Sequence, residues 1–251
     1  MSKFRTPATL ALAASLLTPV RAGAAPAPDV AAIPGNRNLT GSWEMVRQTG
    51  FGPKQTREGV TYVVYPYTPE FQKDYEHRIQ EEIEGRPVQP AGSTCLPSGL
   101  GRMMTVSGVI EIFQSADQVV AHKENQALMR VFLNRGHLPA DELDPTFYGD
   151  SVGHWEGDVL VVDTIGLGAQ PYIDGRAIYS EQAHIMQRIR RIDEETLEVT
   201  ITIEDPKAFT RPITSTATHK LLRNYEMGEY YCTNERHRFA PGADQSVVLK
   251  P

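Results

Sequence analysis

Thr196-Leu197-Glu198-Val199-Thr200-Ile201-Thr202-Ile203-Glu204 is the stretch whose reading decides the fold of this chain. Leu197, Val199, Ile201 and Ile203 fall on one side of an extended backbone, with Thr196, Glu198, Thr200, Thr202 and Glu204 on the other. A period of two marks a strand with one buried face, and Val, Ile and Thr are the residues that suit it. Asp205-Pro206 then forms the turn that ends the strand, because Asp bonds its own backbone and Pro cannot continue a ladder.

Outward from this point the chain reads as more strands at hairpin spacing. Gln182–Ile192 precedes it across Asp193-Glu194-Glu195, and Thr214–Leu222 and Glu229–Glu235 follow. Upstream lie Val109–Phe113, Val119–Glu124 and Ala127–Leu133, then Tyr148–Trp155 and Val159–Thr164 around Glu156-Gly157-Asp158. Gly157 suits the positive φ of a hairpin turn. Val60–Tyr65 adds another strand, ended by Pro66. One helix stands out. Thr68 is placed as its N-cap, Pro69 at the first helical position and Glu70 in the first turn, with Phe71, Tyr75 and Ile79 as its apolar stripe and Gly85 as its stop. About ten strands, one surface helix and no βαβ alternation make a mainly β, antiparallel barrel the expected fold, with a curved open sheet or a β-sandwich as the other possibilities. Leu39–Val46 contains Gly41-Ser42-Trp43, similar to the opening of lipocalin-like (calycin-type) barrels, where the Trp plugs the closed end.

Residues 1–25 read as a signal peptide: Lys3 and Arg5 precede the apolar Leu10–Leu17, and small residues surround Ala22, Ala24 and Ala25. That apolar run is too short for a transmembrane helix, and no later segment reaches about 20 apolar residues, so no membrane span is expected. The expected location is the periplasm. Residues 26–38 read as a flexible Pro/Ala linker and 39–240 as a single barrel domain. Cleavage after Ala25 removes Lys3, Arg5 and Arg21 and takes the net charge from −6 to −9, which argues against nucleic acid as a partner. Two cysteines, Cys95 and Cys232, are too few for a thiolate zinc cage, and in an oxidising compartment they read as one disulfide. Such a link closes a long loop, worth roughly 4–5 kcal/mol in the chain-entropy account.

Three groups of residues carry candidate chemistry. In Gln182–Ile192, His184, Met186, Arg188 and Arg190 share one face with Gln182, while Ala183, Ile185 and Ile189 share the other. The polar face fits either the wall of a polar cavity or a solvated exterior. Arg130 alternates with Leu128 and Phe132; buried there, it would have to pair or bind an anionic or phenolic group. The second group runs from Asp144 to Trp155, where Gly149 and Gly153 imply close backbone approach and Tyr148, Asp150, Ser151 and His154 carry protons. The third is Glu204, a general base if the barrel closes over it. No phosphate-binding glycine loop and no Gly-x-Ser-x-Gly elbow is present. The seven His show neither His-x-His nor His-x-x-x-His spacing, so neither a cofactor nor a metal ion is expected from any local motif, while a metal site assembled across strands stays open.

Pro145-Thr146-Phe147, Ser151–Thr164, Ser180–His184, Arg188–Arg191, Thr196-Leu197-Glu198, Glu204-Asp205-Pro206 and Glu229–Cys232 together resemble a large, mostly uncharacterised family of secreted bacterial proteins from soil and sphingomonad-type genomes. Cys95-Leu96-Pro97 and Arg102-Met103-Met104 fit the same pattern, and the match spans more than half of the chain after the signal peptide. The resemblance implies a lipocalin-like barrel and a Cys95–Cys232 disulfide, and it points towards the breakdown of plant-derived aromatic compounds. Ile213, where an aromatic is usual after Pro212, and Tyr179, where a His is usual, depart from it.

The expected activity is that of a cofactor-free lyase breaking a C–C bond in a hydrophobic phenolic substrate, by decarboxylation or loss of formaldehyde. Phenol deprotonation supplies the electron push, so a base, an anion-stabilising Arg and an apolar box suffice. His184 or Glu204 is the expected base and Tyr148 a proton relay; Arg188, Arg130 or Arg102 would hold an anion, and Asp150, His154 and Trp155 would complete the substrate site. A non-catalytic binding protein for a small hydrophobic ligand is the alternative.

Overall fold

The computed structural model describes residues 33, 35–86, 97, 99–104, 106–123, 128–168 and 172–228. All belong to one compact unit, Ala32–Pro251.

Alternation along each strand is converted into an inside and an outside by closure. The barrel strands are β1 (Gly41–Gln48), β4 (Val109–Gln114), β5 (Gln118–Lys123), β6 (Leu128–Phe132), β7 (Asp150–Glu156), β8 (Val159–Ile165), β9 (His184–Asp193), β10 (Thr196–Glu204) and β11 (Ile213–Leu222). They pair in the order β1-β11-β10-β9-β8-β7-β6-β5-β4, and β1 pairs with β4 to close the ring. The fold is thus a closed nine-stranded barrel, as a lipocalin-like reading requires, and closure leaves no unpaired sheet edge. One pairing departs from the expected antiparallel meander: β6 and β7 run parallel, Val131 opposite Ser151. The long connection 133–149 brings the chain back to the same end, which a hairpin cannot do. Gly157 has φ +59 in the β7–β8 turn, as its hairpin requires.

Two short strands lie outside the barrel as a hairpin, β2 (Lys54–Arg57) and β3 (Val60–Val63); the first was not legible in the polar Lys54-Gln55-Thr56-Arg57. Helix α1 (Pro69–Ile83) follows, with Tyr75 and Ile79 buried and Phe71 half-buried on its stripe. Thr68 stands at the N-cap, yet its hydroxyl donates to the Lys207 carbonyl at 2.9 Å instead of capping the helix. It fastens α1 to the β10–β11 loop. The bridge Tyr67–Phe209 and the stacked rings of those two residues, with centroids 4.8 Å apart, extend the seam. Asp205 makes the expected turn: it is buried and accepts from the N–H of Ser180, Lys207 and Ala208 and the hydroxyl of Ser180.

A second short helix, α2 (Leu100–Met103), was not expected from the sequence; Leu100, Met103 and Met104 are fully buried. Trp43 is also fully buried, its indole N–H donating to the Leu39 carbonyl at 2.9 Å and the Arg191 guanidinium standing 5.5 Å from the ring centroid. Within the stretch read as a linker, Gly35–Arg37 forms a 3-10 turn, and Arg37 lies 5.6 Å from the centre of the Trp155 ring. Cys95, Cys232 and the strand expected at Glu229–Glu235 lie outside the described residues.

Candidate functional site

Register decides which side chains face inward. Ile185, Gln187 and Ile189 of β9 stand opposite Ile203, Ile201 and Val199 of β10, and opposite Thr164, Val162 and Leu160 of β8. These partners are all buried, so this face of β9 is the inner wall. The face carrying His184, Met186, Arg188 and Arg190 is therefore the outer wall, and of the two readings of this strand the solvated exterior holds. The physical reason is that the cationic and polar heads of His184, Arg188 and Arg190 can be hydrated outside, whereas inside each would need a partner. Arg130 is likewise exposed, because Met129 and Val131 take the inner positions of β6.

On the outer wall the expected site residues are mostly tied to one another. Arg188 pairs with Glu156 at 2.9 Å, and His154 is 3.3 Å from the other oxygen of that carboxylate. Glu204 is exposed at the end of β10, opposite His184 in the ladder. His184 Nε2 contacts Asp163 Oδ1. Asp150 is buried on the outer side of β7 and accepts from Arg135, from the Leu138 N–H at 3.1 Å and from His137 Nδ1 at 3.0 Å. Burial alone would raise its pKa; the Arg135, His137 and Leu138 hydrogen bonds outweigh burial and hold the carboxyl at about 2. Asp150 is an anion with its acceptors used, not a free substrate contact. Gly149 just before it has φ +66, and a Cβ there would come 2.4 Å from the Ile165 carbonyl oxygen, the close approach its position implied.

Three more expected residues sit elsewhere. Arg102 on α2 is half-buried, with Nη1 3.5 Å from the Asp174 carbonyl. Tyr148 and Trp155 are half-buried and packed against the core. The structure thus links Asp150 with His184, through His137 and Asp163, and Arg188 with His154, through Glu156; it does not bring His184, Glu204 and Arg188 into the barrel.

The inner wall holds polar groups that were not singled out from the sequence. Lys123 is 3% exposed and donates to the Met103 carbonyl at 2.9 Å and to the Val106 carbonyl. Ser151 and Thr164 satisfy each other at 2.8 Å, and Ser215 meets Gln48 Nε2 at 3.2 Å. Gln187 and His219 are different. Both are 0% exposed; neither amide atom of Gln187 has a hydrogen-bond partner, and His219 has none of good geometry, only a weak contact with the Leu197 backbone. Burial first, and the neighbouring Lys123 second, lower the His219 pKa to about 4, with the Leu197 backbone opposing; the imidazole is neutral at pH 7. A signal for both existed: Gln187 alternates with Ile185 and Ile189, and His219 with Ala217 and Leu221.

A surface cleft of about 590 Å³ lies by the β9–β10 turn, lined by Gly35, Asn36, Arg191, Ile192, Asp193, Glu194, Leu221 and Arg223. Arg191 there is spent on the carbonyls of Asn38, Asp193 and Glu194. No helix among the described residues is long and apolar enough to cross a membrane. A scan against protein-family models finds none that matches the chain, and a search of curated proteins returns no match either.

Proposed function

We propose that this is an exported barrel that holds a small, largely apolar molecule, aromatic and bearing a hydroxyl or carbonyl group, against its inner wall. The observation that carries the reading is the pair of fully buried polar side chains, Gln187 and His219, that lack well-formed hydrogen bonds on a wall whose other polar groups, such as Lys123, Ser151, Thr164 and Ser215, are satisfied. Each buried donor or acceptor without a partner costs about 1–3 kcal/mol, so a fold that retains two such groups is built for something that satisfies them. The resemblance to secreted proteins of aromatic-compound breakdown points the same way. The polar ends of the ligand meet Gln187 and His219; its body lies against residues such as Val162, Ile189 and Val199.

A phenolic probe, 4-hydroxycinnamic acid, tests this by titration calorimetry. Binding should weaken at least about tenfold in Gln187→Leu and His219→Leu and be unchanged in Arg188→Ala on the outer wall. Equal binding by Gln187→Leu, His219→Leu and the native protein would reject the inner wall as the site.

A C–C lyase acting on phenolic substrates is the second reading, and one observation favours it: a neutral imidazole lies near the Lys123 ammonium inside the barrel. Lys123 would favour the ionised phenol and steady the phenolate while the neutral His219 hydrogen-bonds the phenolic oxygen, in place of His184, Glu204 and Arg188. Loss of turnover with retained binding in His219→Gln would separate the lyase from the carrier. The proposal keeps the periplasm as the location and the Cys95–Cys232 disulfide, which a non-reducing digest should recover as one linked peptide.

A further inference from the structure

Gln187 and His219 face the same interior but stand apart on it. Gln187 of β9 is opposite Ile201 of β10, which is opposite Ser215 of β11, and His219 lies four residues further along β11. Four residues of a strand span roughly 13 Å, so one small polar group cannot reach both side chains. The two places also differ in charge. Gln187 is a neutral amide, able to donate and to accept, set among the buried Val162, Ile185, Ile189 and Ile201. His219 has a cation for a neighbour. Lys123 points inward from β5, separated from β11 in the ring by β4 and β1, and is the one buried Lys or Arg among the described residues. The carbonyls of Met103, at 2.9 Å, and Val106 accept from its ammonium, which orients the group without cancelling its charge. After burial, that charge is the next cause of the lowered His219 pKa, so it is felt at the ring.

We propose, building on the inner-wall reading above, that the ligand is an elongated aryl carboxylic acid, its carboxylate beside Lys123 and His219 and a neutral hydroxyl or carbonyl at Gln187. An anion enters an apolar interior only where fixed positive charge offsets its lost hydration, and on this wall that place is Lys123. A carboxylate there also accepts from an N–H of the His219 ring, which has no well-formed bond of its own, and charge-assisted hydrogen bonds are the strong ones. A phenol serves this end less well, because only about one in a thousand is ionised in water at pH 7, whereas a carboxyl is ionised already. The phenol suits Gln187 instead, where a neutral group that both donates and accepts matches the amide. An aromatic ring with polar groups at its two ends spans the distance between them and covers the apolar residues on the way.

Calorimetric titration of the full-length protein with 4-hydroxycinnamic acid and with 4-hydroxycinnamamide, a neutral compound of the same length, gives the test. The native protein should bind the acid at least about tenfold more tightly than the amide at pH 7. Lys123→Gln should bring the two to within about threefold of each other by weakening the acid. Cinnamic acid, which lacks the hydroxyl, should still be weakened by Lys123→Gln but no longer by Gln187→Leu, which fixes the direction in which the ligand lies. Thermal melting checks that Lys123→Gln is folded; if it is not, the acid-to-amide ratio of the native protein and the response of cinnamic acid to Gln187→Leu decide. Equal binding of acid and amide by the native protein, or an acid preference that survives Lys123→Gln, would overturn the carboxylate end and leave the inner-wall reading standing. Binding of neither compound would overturn both.

Discussion

The inner and outer walls of β9 are drawn from alternate residues of one ten-residue strand, and their polar groups do different work. Outside, His184, Arg188 and Arg190 each meet a carboxylate, those of Asp163, Glu156 and Glu198. Inside, one amide, Gln187, sits between Ile185 and Ile189 with nothing to bond. A dense cluster of charge in water is inexpensive, since exposed ion pairs contribute between 0 and about 1 kcal/mol. A single unpartnered amide in the core is costly. Interior function is therefore marked by the isolated polar side chain that the fold tolerates, whereas the crowded polar face is accounted for by its ion pairs.

The difference between the walls can be broken most severely at neighbouring positions. Ile185→Asp places an unpaired charge on the inner wall and should cost more than about 4 kcal/mol or prevent folding, whereas Met186→Ser on the outer wall should change stability by less than about 1 kcal/mol in urea denaturation. His219 sharpens it through pH. Its pKa is about 4 when folded against 6.5 ordinarily, so the unfolded chain binds the proton more readily. Stability is fully present above about pH 6.5 and falls as pH drops towards 4, a loss of about 3 kcal/mol that His219→Leu should remove from the pH profile. Gln187→Leu should raise stability at pH 7 by about 1–2 kcal/mol while weakening the phenolic probe, so a gain in unfolding free energy accompanies a loss of function. Arg188→Ala, at the small end, should shift unfolding by less than about 0.5 kcal/mol and leave the probe's affinity unchanged.

Much of the fold was legible. The alternation in Thr196–Glu204, the Gly157 turn, the Pro69 start and Gly85 stop of α1 and the Asp205 turn all reflect local chemistry, and each is found where it was read. The β2–β3 hairpin and α2 were not, because β2 is polar throughout and α2 is a four-residue turn shaped by the core around it. The candidate site was legible only in pieces. His184 and Asp150 were singled out, but His137 and Asp163 join them from a connection and another strand, and no spacing along the chain encodes that meeting.

By itself the amino-acid sequence determined that strands of period two dominate, where several turns fall and which residues of each strand share a side, because these follow from backbone sterics and side-chain chemistry within a few residues. Which side is inward was decided by the tertiary structure alone. Closure of nine strands sets the Gln187 side against the apolar residues of β8 and β10 and turns the His184 side to water, and that choice depends on the burial of partners far away in the chain.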